Sequence, residues 1–146
     1  MISDRNLTVE DHHECSRLCK IGARHSDGRI DGEAFRLKEG EPYLSLNCVD
    51  FHDGDLRVER IDDLRKVIIK NFTIRTQLLA LFEAGSTIGF VRENSEDGRV
   101  LTIEHHWEEE NHSHCGAHGF IFGEEIVADL LAETVEPENV ISVKVK

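Results

Sequence analysis

Apolar residues near the end of the chain follow two different periods. Residues 123–134 (GEEIVADLLAET) carry four apolar side chains at helical spacing, namely Ile126, Val127, Leu130 and Leu131. They follow Glu124 and Glu125, and acidic residues stabilise the positive N-terminal end of a helix. The closing residues 140–146 (VISVKVK) alternate apolar and polar, and their lysines are typical of an edge strand. The pattern predicts a helix followed by an edge strand.

The first half of the chain shows weaker patterns. Residues 43–49 (YLSLNCV) alternate apolar and polar, which predicts a half-buried strand. Residues 8–21 carry an incomplete apolar stripe and favour a helix. Residues 59–70 have apolar positions at helical spacing, but the overlapping segment 67–74 (VIIKNFTI) suits a strand equally well. Both alternatives stay open for this segment.

The middle of the chain predicts a helix and then a hairpin. Residues 75–85 (RTQLLALFEAG) favour a helix that ends at Gly85. Residues 87–107 form two apolar runs around a polar turn at Asp97–Gly98, which predicts a β-hairpin. Helices intermixed with hairpins indicate an α+β fold: a single domain of residues 1–146 with a mostly antiparallel sheet and about three helices.

Composition agrees with a soluble globular protein, since 39% of the residues are hydrophobic and 32% are charged. No apolar run is long enough to cross a membrane, and the N-terminal residues do not resemble a secretory signal. We therefore expect a cytoplasmic protein. The four cysteines are expected to be reduced thiols or metal ligands rather than disulfides.

The formal net charge of −12 limits the partners. Such a charge repels a phosphate backbone, so broad nucleic-acid binding is not expected. It does fit a non-catalytic, acidic interaction protein, such as an inhibitor or antitoxin-like protein, that binds a basic protein partner.

The densest chemistry lies in residues 111–119 (NHSHCGAHG). His112, His114, Cys115 and His118 are ligand types suited to zinc, so these four residues are the predicted metal ligands. The alternative is that they are exposed or hydrogen-bonded side chains, because the spacing matches none of the familiar zinc signatures.

A pair of histidines precedes this loop. If residues 102–107 form a strand, His106 lies on the same face as Thr102 and Glu104, and His105 lies on the opposite face with Trp107. We interpret His106 as a solvent-facing partner of acidic side chains.

A second candidate site surrounds Arg24 and His25, which lie beside a turn and are followed by Arg29 and Arg36. A histidine near arginines can bind an anionic group and transfer a proton, as phosphodiester cleavage requires. The alternative is an ordinary turn in which Asp27 bonds to the backbone.

Several of these residues fall into an ordered pattern, RH…DGR…AF…LS…H…G, that runs through residues 24–133. Its members are Arg24–His25, Asp27–Gly28–Arg29, Ala34–Phe35, Leu44–Ser45, His114, Gly119 and the segment 126–133. The pattern resembles that of a group of small bacterial proteins with no established activity. The resemblance implies that His25 and His114 belong to one site. It also marks His112, Cys115 and His118 as additions to the pattern.

Two hypotheses follow. In the first, the protein hydrolyses or transfers a phosphate ester: His25 and His114 act as acid and base, Arg24 holds the anion, and zinc, if bound, assists. In the second, the protein is the acidic, non-catalytic partner of a basic protein.

Overall fold

A single antiparallel sheet organises the fold. The computed structural model describes residues 5–71 and 77–144. Its strands are β1 (Glu14–Lys20), β2 (Leu44–Cys48), β3 (Gln77–Glu83), β4 (Thr102–His105), β5 (His114–His118) and β6 (Val140–Ser142). They lie in the order β4-β5-β2-β1-β3-β6, and every neighbouring pair is antiparallel. The α-helices within the described residues are α1 (Arg57–Asn71), α2 (Ala84–Asn94) and α3 (Ile126–Glu133). The predicted α+β fold is confirmed.

One face of the sheet carries the main core. Helices α2 and α3 pack against this face, together with a short 3-10 turn over residues 32–35. The strands contribute Cys15, Cys19, Leu44, Leu46, Cys48, Leu78, Ala80, Phe82, Cys115 and Ala117. These residues alternate along each strand, as the two-residue period of a strand requires.

Helix α1 covers part of the other face. Its buried side chains Ile61, Leu64 and Ile68 pack against Leu79 and Leu81 of β3. This helix leaves the β4-β5-β2 side of the same face without a helical cover, and that uncovered area holds the polar side chains described below. The helical alternative for residues 59–70 is therefore correct, while residues 72–74 of the competing strand lie outside the described residues.

Two predicted elements in the central part of the sheet were wrong. Residues 14–20 form β1 instead of continuing a helix from residue 8, and residues 77–83 form β3 instead of a helix. These two strands pair over seven residues, from Glu14↔Glu83 to Lys20↔Gln77. A central strand packed on both faces loses the clear alternation of a half-buried strand, so its apolar run resembles that of a buried helix.

The predicted hairpin over residues 87–107 was also wrong in its first arm. Residues 84–94 form helix α2, with Thr87 and Val91 buried one turn apart. The turn at Asp97–Gly98 does exist, and Gly98 has a φ of 61° there, but it connects a helix to β4. Elsewhere β2, α3 and the edge position of β6 agree with the sequence. No helix among the described residues is long and apolar enough to cross a membrane.

Candidate functional site

Three adjacent strands bring the histidines together on the face that α1 leaves uncovered. Gly116 of β5 lies between Glu104 of β4 and Ser45 of β2 in the strand register. His114 and His118 stand two residues to either side of Gly116, so they project from the same face. The pairing continues past β4, since the His106 backbone N–H donates to the His114 carbonyl at 2.8 Å. One surface thus collects side chains from three strands.

Gly116 is required for the ring packing at the centre of this surface. The Tyr43 and His106 rings stack with their centroids 4.3 Å apart and their planes 7° from parallel. A Cβ atom on Gly116 would lie 2.4 Å from Tyr43 Cδ1 and 2.8 Å from His106 Cδ2. Both distances are below van der Waals contact, so only glycine lets the two rings meet over β5.

Three ligand atoms converge beside this stack, and we call Glu104, His106 and His118 the His–Glu group. His106 Nε2 and His118 Nε2 are 2.8 Å apart, and His118 Nε2 is 3.2 Å from Glu104 Oε2. All three ligand atoms lie within 4.8 Å of one another. Two imidazole nitrogens and a carboxylate oxygen form a donor set that binds divalent transition metals.

Electrostatics keep His106 neutral. Burial lowers its pKa below the ordinary histidine value, and the neighbouring His118 and His114 lower it further. The Glu104 carboxylate acts in the opposite direction. A neutral imidazole is the form that coordinates a metal. His118 and Glu104 remain partly open to solvent, with side-chain exposures of 31% and 59%, so a metal ion can reach the group.

His114 lies next to the His–Glu group but in a more enclosed position. Its Nδ1 donates to the His106 carbonyl at 3.0 Å, and Glu108 Oε1 is 3.5 Å from the same nitrogen. This places the proton on Nδ1 and leaves Nε2 as an acceptor. His114 and Tyr43 line a cavity of about 400 Å³ between α1 and the strands. His114 therefore stands beside both the His–Glu group and this cavity.

The predicted zinc ligand set does not converge. Cys115 is fully buried on the opposite face from His114 and His118, where Cys48 and Cys15 are its neighbours in the core. A hydrogen bond with Cys48 and burial raise the pKa of the Cys115 thiol well above its usual value, so it stays protonated. The reason is strand alternation: an odd step along β5 crosses the sheet.

His112 also lies apart from the other predicted ligands. Its ring stacks on Trp107 at 5.2 Å, and its carbonyl accepts a hydrogen bond from His105 Nε2 at 2.7 Å. It lines a different cavity, one that His114 and His118 do not line. Among the four predicted ligands, only His118 belongs to the His–Glu group.

The structure does not bring His25 to His114. His25 pairs with Asp31 at 3.0 Å in an exposed loop, and the Arg24 guanidinium donates to the Val140 carbonyl on β6. Strand β6 is four strand positions from β5, which is about 19 Å at roughly 4.8 Å per strand. Arg24 therefore attaches this loop to one edge of the sheet, while His114 lies near the other. The prediction that His25 and His114 share one site is therefore corrected: the two residues lie in separate parts of the fold.

Sequence reasoning placed Glu104 and His106 on one face but not among the ligands. The signal was available in part, because Glu104-x-His106 and His114-x-Gly116-x-His118 both alternate. What the sequence did not contain was the pairing of the two segments, with Glu104 opposite Gly116. Pairing register depends on contacts between strands and is not a local property.

Comparison with known proteins adds no further constraint. No protein-family model, curated protein or solved structure matches the chain. The resemblance to small bacterial proteins therefore stays a prediction, and the function is argued from the geometry of the site.

Proposed function

We propose that the protein is a metal-binding protein that holds one divalent transition-metal ion, zinc, through Glu104, His106 and His118. The observation that carries this proposal is the convergence of the two Nε2 atoms and the Glu104 carboxylate oxygen on one point of the exposed face.

The distances within the His–Glu group suit a zinc ion after a small adjustment. Two imidazole nitrogens bound to tetrahedral zinc lie roughly 3.3 Å apart, for zinc–nitrogen bonds of about 2.05 Å. The observed separation of the two Nε2 atoms is 2.8 Å, so a shift of about half an ångström between these two partly buried side chains opens the group for the ion.

Three protein ligands favour a reactive site over a purely structural one. Structural zinc sites use four protein ligands, whereas catalytic sites use three and leave a position for water. Zinc in such a site lowers the pKa of its bound water and so supplies a nucleophile for hydrolysis. In this chain His114 is the imidazole next to the group, with its ring 6.4 Å from that of His106, and it is the residue that we assign to proton transfer there.

Hydrolysis of a phosphate ester is the reaction class that we retain for this site. The sequence argument for this reaction relied on Arg24 and His25, but neither residue contributes to the surface that holds His114. Arg17 lines the cavity, but it donates to the carbonyls of Ala34 and Ser45. The metal ion itself would therefore supply the positive charge that an anionic substrate requires.

The test is a zinc titration of untagged protein purified without metal-affinity resin and stripped with a chelator. We expect one equivalent of zinc to bind to the wild-type protein. His118→Ala and Glu104→Gln should each weaken zinc binding by at least about 10–100-fold. That is the usual loss when a residue that hydrogen-bonds to a metal ligand is removed, and loss of a ligand itself should cost no less. His112→Ala is the matched control, since it removes a nearby histidine that lies outside the group.

Two outcomes would contradict the metal proposal. Wild-type protein that takes up much less than one equivalent has no such site. Equal losses in His112→Ala and His118→Ala would indicate that the loop, and not the His–Glu group, binds the ion.

The acidic interaction protein remains the alternative, supported by the net charge of −12. Salt-sensitive binding to a basic protein that persists in His118→Ala and His114→Ala would favour it, because charge attraction at a surface weakens with ionic strength and needs neither histidine.

A further inference from the structure

A second cluster of polar side chains, formed by His52, Asp63 and Ser113, lies outside the His–Glu group. His52 follows the 3-10 turn after β2, Asp63 lies on α1, and Ser113 immediately precedes β5. His52 Nδ1 is 2.9 Å from Asp63 Oδ2, and His52 Nε2 is 2.6 Å from Ser113 Oγ. These residues are far apart in sequence, and the fold alone joins them into one chain of hydrogen bonds.

The direction of these hydrogen bonds follows from the chemistry of the partners. An ionised carboxylate only accepts, so the proton of neutral His52 lies on Nδ1 and is donated to Asp63. The Nε2 atom is then an acceptor, and the Ser113 hydroxyl donates to it. Asn47 Nδ2 donates to Ser113 Oγ at 2.8 Å, which leaves the hydroxyl proton to His52.

We propose that Ser113, His52 and Asp63 form an acyl-transfer site in which they act as nucleophile, general base and orienting carboxylate. The order of the groups and both distances match the arrangement by which a histidine activates a serine hydroxyl. The site shares no residue with the His–Glu group, so it is independent of the proposed metal function.

The surroundings of His52 support its role as a base. Burial lowers the pKa of His52, while the hydrogen bond and charge of Asp63 act in the opposite direction. Burial raises the pKa of Asp63, but the hydrogen bond from His52, the backbone hydrogen bond from Asp53 and the charge of His52 together outweigh it, and the net pKa is lowered. His52 is thus neutral and Asp63 ionised near neutral pH, which are the protonation states that the proposal needs.

The reaction proceeds in two balanced halves. Ser113 Oγ bonds to the carbonyl carbon of an ester while its proton moves to His52 Nε2. The bond between that carbon and the alkoxy oxygen then breaks, and His52 returns the proton to the departing alcohol. Water next gives a proton to His52 while its oxygen bonds to the acyl carbon. The bond between that carbon and Ser113 Oγ then breaks, His52 returns the proton to Oγ, and the carboxylic acid leaves. Asn47 Nδ2 donates to Ser113 Oγ and to Asn111 Oδ1, so its carboxamide holds the nucleophile in place.

Burial limits the substrate class to esters of short carboxylic acids. Ser113 is 1% exposed and lies between Asn47, which lines the 400 Å³ cavity, and His52, which lines a second cavity of about 600 Å³. Ser113 itself lines neither cavity, so the proposal is confined to the smallest acyl groups, which need the least opening around its hydroxyl. Lys66 and Lys70 of α1 also line the second cavity, together with Asp53, Asp63, Glu109 and Glu110.

The experiment uses methanesulfonyl fluoride, a small probe that sulfonylates an activated serine with loss of fluoride. The full-length protein is incubated with the probe in the presence of a chelator, and the adduct is mapped by mass spectrometry. We expect one adduct, located on Ser113. Ser113→Ala should abolish this adduct, and Ser45→Ala, which removes an exposed serine of β2, should leave it unchanged.

The histidine and the aspartate are tested by the rate of the same labelling. His52→Gln should slow it by at least about 100-fold, the lower limit for the loss of a general base. Asp63→Asn should slow it with the fold retained, as judged by circular dichroism. Absence of a Ser113 adduct in the wild-type protein overturns the proposal whatever the variants do. Labelling of His52→Gln at the wild-type rate also overturns it. The chelator removes any bound zinc, so labelling of Ser113 under these conditions does not depend on the zinc proposal.

Discussion

At the scale of single residues, the chemistry of this protein depends on which face of a strand each side chain occupies. His114 and His118 share a face with Gly116, while Cys115 between them packs in the core. Because successive side chains of a strand point to opposite faces, this one histidine-rich segment contributes both to the polar face and to the core. The packing of Tyr43 and His106 on this face requires Gly116, which has no reactive side chain.

Gly116→Ala is expected to lower the free energy of unfolding by about 1–3 kcal/mol, the usual cost of overpacking. The added Cβ would meet Tyr43 Cδ1 at 2.4 Å and His106 Cδ2 at 2.8 Å, so the rings must separate. Displacing His106 should also weaken zinc binding. Denaturant unfolding and the zinc titration measure the two effects.

Gly89→Ala is the matched control for this substitution. Gly89 lies inside α2, and its Cβ would meet no heavy atom within 4 Å. Alanine there should raise the free energy of unfolding by up to about 1 kcal/mol, because it is the better helix former. A Gly116→Ala variant that is as stable as Gly89→Ala and binds zinc normally would show that the ring stack is dispensable.

At the scale of elements, local pattern failed where packing on both faces removed the alternation. The sequence QLLALFE of β3 has five consecutive buried residues, a run that a buried helix would show as well. Its neighbour α2 carries two glycines, which disfavour a helix, and β-branched residues, which favour a strand. Tertiary contacts outweigh both preferences: β3 pairs with β1 and β6, and α2 packs on α3.

Helix α1 provides the prediction at this scale. Leu64 is fully buried at the centre of the apolar stripe that packs on β3, so Leu64→Ala should lower the free energy of unfolding by about 2–5 kcal/mol. Ile69 on the same helix is 47% exposed, and Ile69→Ala should change it by about 0.5 kcal/mol or less. Chemical denaturation of both variants measures the difference, and equal costs would mean that α1 does not pack as described.

At the scale of the whole molecule, the cysteines report on the integrity of the core. All four are buried free thiols. Burial raises the pKa of Cys15, and it raises the pKa of Cys19 to about 11. A thiol reacts as the thiolate, so burial and high pKa both suppress the reaction.

We therefore expect native protein to react very slowly with a thiol reagent such as Ellman's reagent at about pH 8, below the free-thiol pKa of about 8.5. Protein unfolded in denaturant should expose all four thiols to the reagent. The number of thiols that react under each condition is read from the absorbance of the released product. Rapid reaction of even one thiol in the native protein would contradict the buried position of that cysteine.

The sequence by itself determined the α+β class, strand β2, helix α3 and the edge strand β6, because each has a local period that packing does not obscure. It also pointed to residues 111–119 as the chemically dense segment. Tertiary structure alone decided how that segment is used. Strand register places Glu104 and His106 beside His118, and chain packing joins His52, Asp63 and Ser113. The physical reason is that a binding or reactive site is built from contacts between distant segments, whereas periodicity describes each segment alone.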